Sequence, residues 1–155
     1  MRLASKTHVA APVGFLHGRV TDFDHLEALA RSFGATVERQ FDGPPLVGCI
    51  WDLVLTIKQH PRQMQTSLAD WVPDQELTFD SQMQGLHIET RVTMAAEGAE
   101  RSRLNIVIDM RPQTLKARVL LQTLRLARHR IEQGFDSRLE GFATDIGKAY
   151  RRTLT

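Results

Sequence analysis

The sequence predicts an α+β domain: a curved antiparallel sheet of about six to seven strands wrapped around a long C-terminal helix, with two short helices after the first strand. Three observations lead there. From residue 35 to residue 112, apolar and polar side chains alternate with period two, interrupted by turn residues. From Gln113 to about Arg152 the period changes, and Leu120, Leu124, Ala127, Ile131, Phe135, Leu139, Phe142, Ile146 and Tyr150 recur every third or fourth position. Ahead of the sheet stand two brief helical patterns, each with its own start signal. Runs of strands followed by a helix give layers, with the helix on one face of the sheet.

Residues 2 to 10 alternate, with Leu3, Ser5, Thr7 and Val9 on one side, and read as a first strand. Pro12 suits a first helical turn, and Val13, Leu16 and Val20 supply a short stripe. Thr21 or Asp22 then caps a second helix, whose apolar face is Phe23, Leu26, Leu29, Ala30 and Phe33 and whose end is marked by Gly34. A strand over 35–41 and a turn at Asp42-Gly43-Pro44-Pro45 follow. In the next run Val47, Cys49, Trp51, Leu53, Leu55 and Ile57 face one way, until His60-Pro61 is expected to break it. A one-residue slip would turn the heavier apolar set outward, so its facing is well specified. Met64, Thr66 and Leu68 continue to Val72-Pro73, and Leu77 and Phe79 to Gly85. Leu86, Ile88, Thr90, Val92 and Met94 run to Gly98, and Leu104, Ile106, Ile108 and Met110 to Pro112. Short connections make these an antiparallel meander.

The last stretch is expected to be one rod, roughly 60 Å long at about 1.5 Å per residue. Its other face carries Arg118, Arg125, Arg128, Glu132, Arg138, Glu140, Asp145 and Lys148, so only the apolar stripe needs covering. Because a twisted sheet curls, a helix laid across its concave side does not fill it, and a cavity is expected.

The chain of 155 residues suits a single domain over 1–155, and 42% hydrophobic with 25% charged residues is ordinary for a globule. Net charge is +2, distributed unevenly: residues 113–155 hold nine Lys/Arg against four Asp/Glu. The basic residues spread around the helix without interleaved aromatics, as on a solvated face, so no nucleic-acid partner is expected. Cys49 is the only cysteine, which excludes an internal disulfide and a cysteine-based zinc site. The first residues lack the apolar core of a secretory signal, and no run is long enough to cross a bilayer as an integral segment. A cytoplasmic protein is therefore expected.

Pro12 to Leu16 after strand one, Asp22-Phe23, Gly43-Pro44 followed by Val47-Gly48-Cys49-Ile50-Trp51, and the helix after Pro112 together resemble the START-like, or SRPBCC, superfamily. This is the helix-grip fold of the birch-pollen allergen, the polyketide cyclase/dehydrase group and the coenzyme-Q-binding proteins. The likeness spans the whole chain and rests on topology and composition. It implies a deep apolar pocket between the sheet and the C-terminal helix that takes lipids, sterols, polyketides or other hydrophobic small molecules.

Alternation itself gives the candidate lining: Trp51, Leu53, Leu55, Met64, Thr66, Leu68, Phe79, Ile88, Thr90, Val92, Ile106 and Ile108 from the sheet, facing Leu124, Ile131 and Phe135 of the helix. This is an apolar surface with a few hydrogen-bonding points; the alternative is a solid core. His8, His17, His25, His60, His87 and His129 are scattered, with no metal-binding spacing. Asp52, Asp80, Glu89 and Asp109 fall on outward faces, and only Asp70 has a chance of turning inward. No catalytic residue, metal ligand or cofactor is expected. The reading is a module that binds a hydrophobic small molecule such as a lipid, isoprenoid or polyketide-like compound, and a homodimer is left open. Two alternatives stand beside it: a polyketide cyclase or dehydratase using the same cavity, which needs inward ionisable groups, and an interaction module using the basic helix face.

Overall fold

A computed structural model describes residues 1–155. The order is β1 (Arg2–Val9), α1 (Val13–Val20), α2 (Phe23–Ser32), β2 (Thr36–Arg39), β3 (Ile50–Ile57), β4 (His60–Val72), β5 (Glu76–Met83), β6 (Leu86–Gly98), β7 (Arg101–Pro112), α3 (Leu115–Leu126) and α4 (Arg128–Thr153). The strands form one antiparallel seven-stranded sheet in the order β1-β7-β6-β5-β4-β3-β2. Register shifts between Leu68 and Asp70 and between Ala96 and Gly98 each insert an extra residue, which bends the strand and increases its twist. The sheet therefore curves, and all four helices lie against it. No helix is long and apolar enough to cross a membrane.

Several boundaries differ from the sequence reading, each for a local reason. The rod expected over 113–152 is broken at Ala127 (φ −101°, ψ 12°) into α3 and α4. Neither Pro nor Gly stands there, so the break is imposed by packing and carries no local signal. His60-Pro61 begins β4 instead of ending β3, because Lys58 and Gln59 both take positive φ and close a two-residue hairpin. Pro61 is tolerated because β4 pairs with β5 only from Gln65 onward, so that end of β4 has no second neighbour. Val47 is exposed and lies before β3, since Gly48 at φ +96° turns the chain and regular pairing starts at Ile50. Phe33, placed on the buried face of α2, is exposed at its C-terminus, where the Arg138 guanidinium lies 4.5 Å from its ring centre.

The core falls into two clusters. In the larger, Leu16, Val20 and Phe23 from α1 and α2 meet Leu68, Leu77 and Leu104 of the sheet and Leu139, Ala143 and Ile146 of α4. In the smaller, Ala117 and Leu121 of α3 meet Leu3, Met83, Leu86 and Met110. The main backbone approach of α4 to the sheet is along β1, where the small residues Ala143 and Gly147 allow it: a Cβ at Gly147 would sit 3.4 Å from the Ala10 methyl. Ser5 on β1 donates to Asp136 of α4, and Arg128 donates to the Arg2 carbonyl at 3.0 Å, fixing the helix along that edge.

Glycines separate into two kinds. Gly85 turns the β5–β6 hairpin at φ +81°, and a Cβ there would lie 2.4 Å from Oγ1 of Thr114, the residue that caps α3 by accepting from Ala117 N–H. Gly134 and Gly141 have open space around the Cβ position, so neither is required by close packing. Gly85→Ala is expected to lower stability by roughly 1–3 kcal/mol. Gly134→Ala and Gly141→Ala are expected to raise it by about 1 kcal/mol each. Urea unfolding of the three variants checks both signs.

Candidate functional site: an apolar cleft under the second helix

The strands bring inward-facing residues of β3, β4, β5 and β6 side by side. Trp51 pairs with Thr66, Leu53 with Met64, Thr66 with Ser81 and Phe79 with Thr90. α2 crosses above them and contributes Phe23, Leu26, Glu27 and Ala30. Between helix and strands lies a cleft of about 260 Å³, lined by these residues together with Val37. Its lining is almost wholly apolar.

One wall is aromatic. The Phe23 ring lies 5.5 Å from Trp51 and 6.4 Å from Phe79, and Phe41 meets Trp51 edge-on at 5.2 Å. Trp71 backs Phe23 at 5.9 Å and donates its indole N–H to His17 Nε2 at 2.9 Å. With Nε2 accepting, the His17 proton belongs on Nδ1, which faces Asp74 at 3.6 Å. The polar points are hydroxyls: Thr66 and Ser81 are hydrogen-bonded to each other at 2.8 Å, and Thr90 lies on the neighbouring strand.

Glu27 is the one ionisable residue of the lining. Its Oε2 accepts from Trp51 Nε1 at 2.7 Å and from Arg39 Nε at 2.5 Å, and Arg39 also pairs with Asp24. The Glu27 hydrogen bond, aided by Asp24, holds the Arg39 guanidinium above its ordinary pKa. The carboxylate therefore acts as a strut: it ties α2 to β2 and β3 and gives the buried indole of Trp51 its partner. Glu27 was not among the residues the sequence pointed to as lining a pocket. The signal that could have found it is its one-turn spacing from Phe23, which places both on the sheet-facing side of α2.

Of the residues expected to line a pocket, Trp51, Leu53, Met64, Thr66, Phe79 and Thr90 come together at this cleft. Leu68 and Val92 are buried in the larger cluster, with Ile106 packed against it. Leu55, Ile88, Ile108, Leu124, Ile131 and Phe135 pack half-buried against the smaller cluster. The open volume is thus roofed by α2, and the C-terminal helix residues lie outside its lining. Asp70 does not turn inward; it is exposed, with its carboxylate accepting from Trp71 N–H. No three residues among His, Cys, Asp and Glu converge to hold a metal ion.

The chain matches no protein-family model and no curated protein. Solved structures do match. The Zhui aromatase/cyclase from a Streptomyces species aligns over 100% of this chain and 96% of its own at 14% identity, with a TM-score of 0.65. Norcoclaurine synthase from Thalictrum flavum, in complex with dopamine and hydroxybenzaldehyde, aligns over 96% of this chain and 85% of its own at 13% identity, TM-score 0.68. A START superfamily protein from Mycobacterium smegmatis aligns over 89% and 98% at 15% identity, TM-score 0.56.

The chain has the START-like helix-grip fold. In this helix-grip fold the grip is completed by α2 as well as by the C-terminal helices, and the strut at Glu27 holds that side in place. Glu27→Ala is expected to cost about 2–3 kcal/mol, because it strips Trp51 and Arg39 of a charged acceptor. Arg39→Ala should cost less, since Trp51 keeps its partner. Urea unfolding gives the two values, and a larger loss for Arg39→Ala would contradict the strut.

Proposed function

We propose that this protein binds a compact hydrophobic small molecule in the cleft beneath α2. The observation that carries the reading is an open, almost wholly apolar volume whose few polar groups are three hydroxyls and an indole-bound carboxylate. Left to water, such a surface is costly; covering it is favourable by about 25 cal/mol per Å² of apolar area. Trp51, Phe23 and Phe79 supply flat faces for an aromatic ring, and Thr66, Ser81 and Thr90 orient a polar end. The volume of about 260 Å³ falls just under the roughly 300–1,000 Å³ of usual ligand sites, which suits a small aromatic body or one part of a longer molecule. Leu53, Met64 and, beyond them, Leu55, Ile88, Ile108, Leu124, Ile131 and Phe135 offer a longer ligand a further apolar surface.

The norcoclaurine synthase structure, with dopamine and hydroxybenzaldehyde, supports the idea that this fold takes compact aromatic ligands. The aromatase/cyclase neighbour raises catalysis as the second reading. Acid–base work needs free ionisable groups within reach of the substrate. Here the single carboxylate of the lining is already engaged by Trp51 and Arg39, which favours binding without turnover.

Native mass spectrometry of the purified protein is expected to show a co-purifying apolar compound, and anilinonaphthalene sulfonate to bind and quench Trp51 emission in a Trp71→Phe background. Ala30→Phe, which fills the cleft from the helix side, should weaken dye binding about tenfold or more. Undiminished dye binding by folded Ala30→Phe would place the ligand elsewhere.

A further inference from the structure

α3 has two apolar faces, and the fold uses only one. Ala117 and Leu121 are buried against the sheet, with Leu120 and Leu124 packed beside them. At about 100° per residue, Leu115, Val119 and Leu126 fall within roughly 40° of one another on the opposite side. They are 79%, 62% and 92% exposed, and nothing in the fold covers them. Arg118 and Arg125 border this ridge on one flank and Lys116 on the other. Arg111 and Arg128 are paired with Asp109 and Glu132, whereas Lys116, Arg118 and Arg125 have no carboxylate partner. No acidic residue occurs anywhere from Met110 to Ile131.

We propose that the outer face of α3 docks this protein onto an anionic lipid bilayer. Leu115, Val119 and Leu126 enter the boundary between headgroups and acyl chains, and Lys116, Arg118 and Arg125 lie among the lipid phosphates. An apolar ridge between unpaired cations is the pattern of a helix that rests in the plane of a membrane interface, and the negative surface potential supplies the complementary charge. Other occupants fit less well. A second copy would bring the same unpaired cations face to face across a two-fold axis, and the ridge of three side chains is small beside the roughly 800 Å² per partner of a stable interface. A nucleic acid would satisfy the charge but leave the leucines without a role, and α3 presents no aromatic ring for base stacking. The surface shares no residue with the cleft beneath α2, so the proposal stands or falls separately from ligand binding.

Sedimentation with vesicles tests it, using phosphatidylcholine alone and equal parts phosphatidylcholine and phosphatidylglycerol. The intact protein is expected to pellet with the anionic vesicles and far less with the neutral ones. Val119→Gln combined with Leu126→Gln, which leaves charge unchanged, should weaken that binding about tenfold. Arg118→Gln combined with Arg125→Gln should weaken it about 25-fold, at about fivefold per cation. All four positions are exposed, so unchanged thermal melting is expected to confirm intact folding. Four results would overturn the proposal: no vesicle binding; equal binding to both lipids; anionic binding that depends on the arginines and ignores Val119 and Leu126; or displacement by random-sequence RNA in a manner indifferent to the same two residues. A dimer that Leu126→Gln converts to monomer, without vesicle binding, would assign the ridge to a second copy instead.

Discussion

The structure depends on covering an apolar helical stripe with a sheet that is curved. A stripe running from Leu120 to Tyr150 would be unstable in water, since each large side chain gains roughly 1.5–3 kcal/mol only when fully buried. Full burial is reached at Leu139 and Ile146, while Ile131, Phe135 and Phe142 stay half-covered. The reason is geometric. Ala143 and Gly147 let α4 close on β1, so that end is tight, while α3 packs separately on Leu3, Met83, Leu86 and Met110. One straight rod cannot follow a twisting sheet at both places, and the chain yields at Ala127.

The other side of the sheet's concave face falls to α2, and there the device is polar. A carboxylate that accepts from both an indole and a guanidinium fixes the height of the helix above the strands. With Glu27 bonded to Trp51 and Arg39, the rings of Phe23, Trp51 and Phe79 line a gap without closing it. The group that ties α2 to the strands thus also lines the cavity, and its two donors account for a charged residue at an otherwise apolar site.

The strands and their facing were legible because a period of two leaves little freedom once one face is buried. Trp51, Leu53, Met64, Thr66, Phe79 and Thr90 could be placed on a common face from alternation alone. Turn geometry was less legible. Lys58-Gln59 closes a hairpin although neither residue is Gly or Asn, and the neighbouring His60-Pro61 looked the stronger breaker. What makes Pro61 acceptable is the absence of a β5 neighbour, a fact about registers far away in sequence. The outer ridge of α3 was likewise masked, because Leu115, Val119 and Leu126 sit among residues whose burial cannot be ranked before their neighbours are known.

By itself, then, the sequence determined the class of fold, the meander, the two short helices and which side of each strand turns toward the helices, because these follow from local periodicity and chain order. Tertiary structure decided where the remaining space lies, where the C-terminal helix breaks and which carboxylate spans the gap. Those outcomes turn on the sheet's curvature and on contacts between residues far apart in the chain, Glu27 with Trp51 and Gly147 with Ala10, whose distances no local pattern encodes.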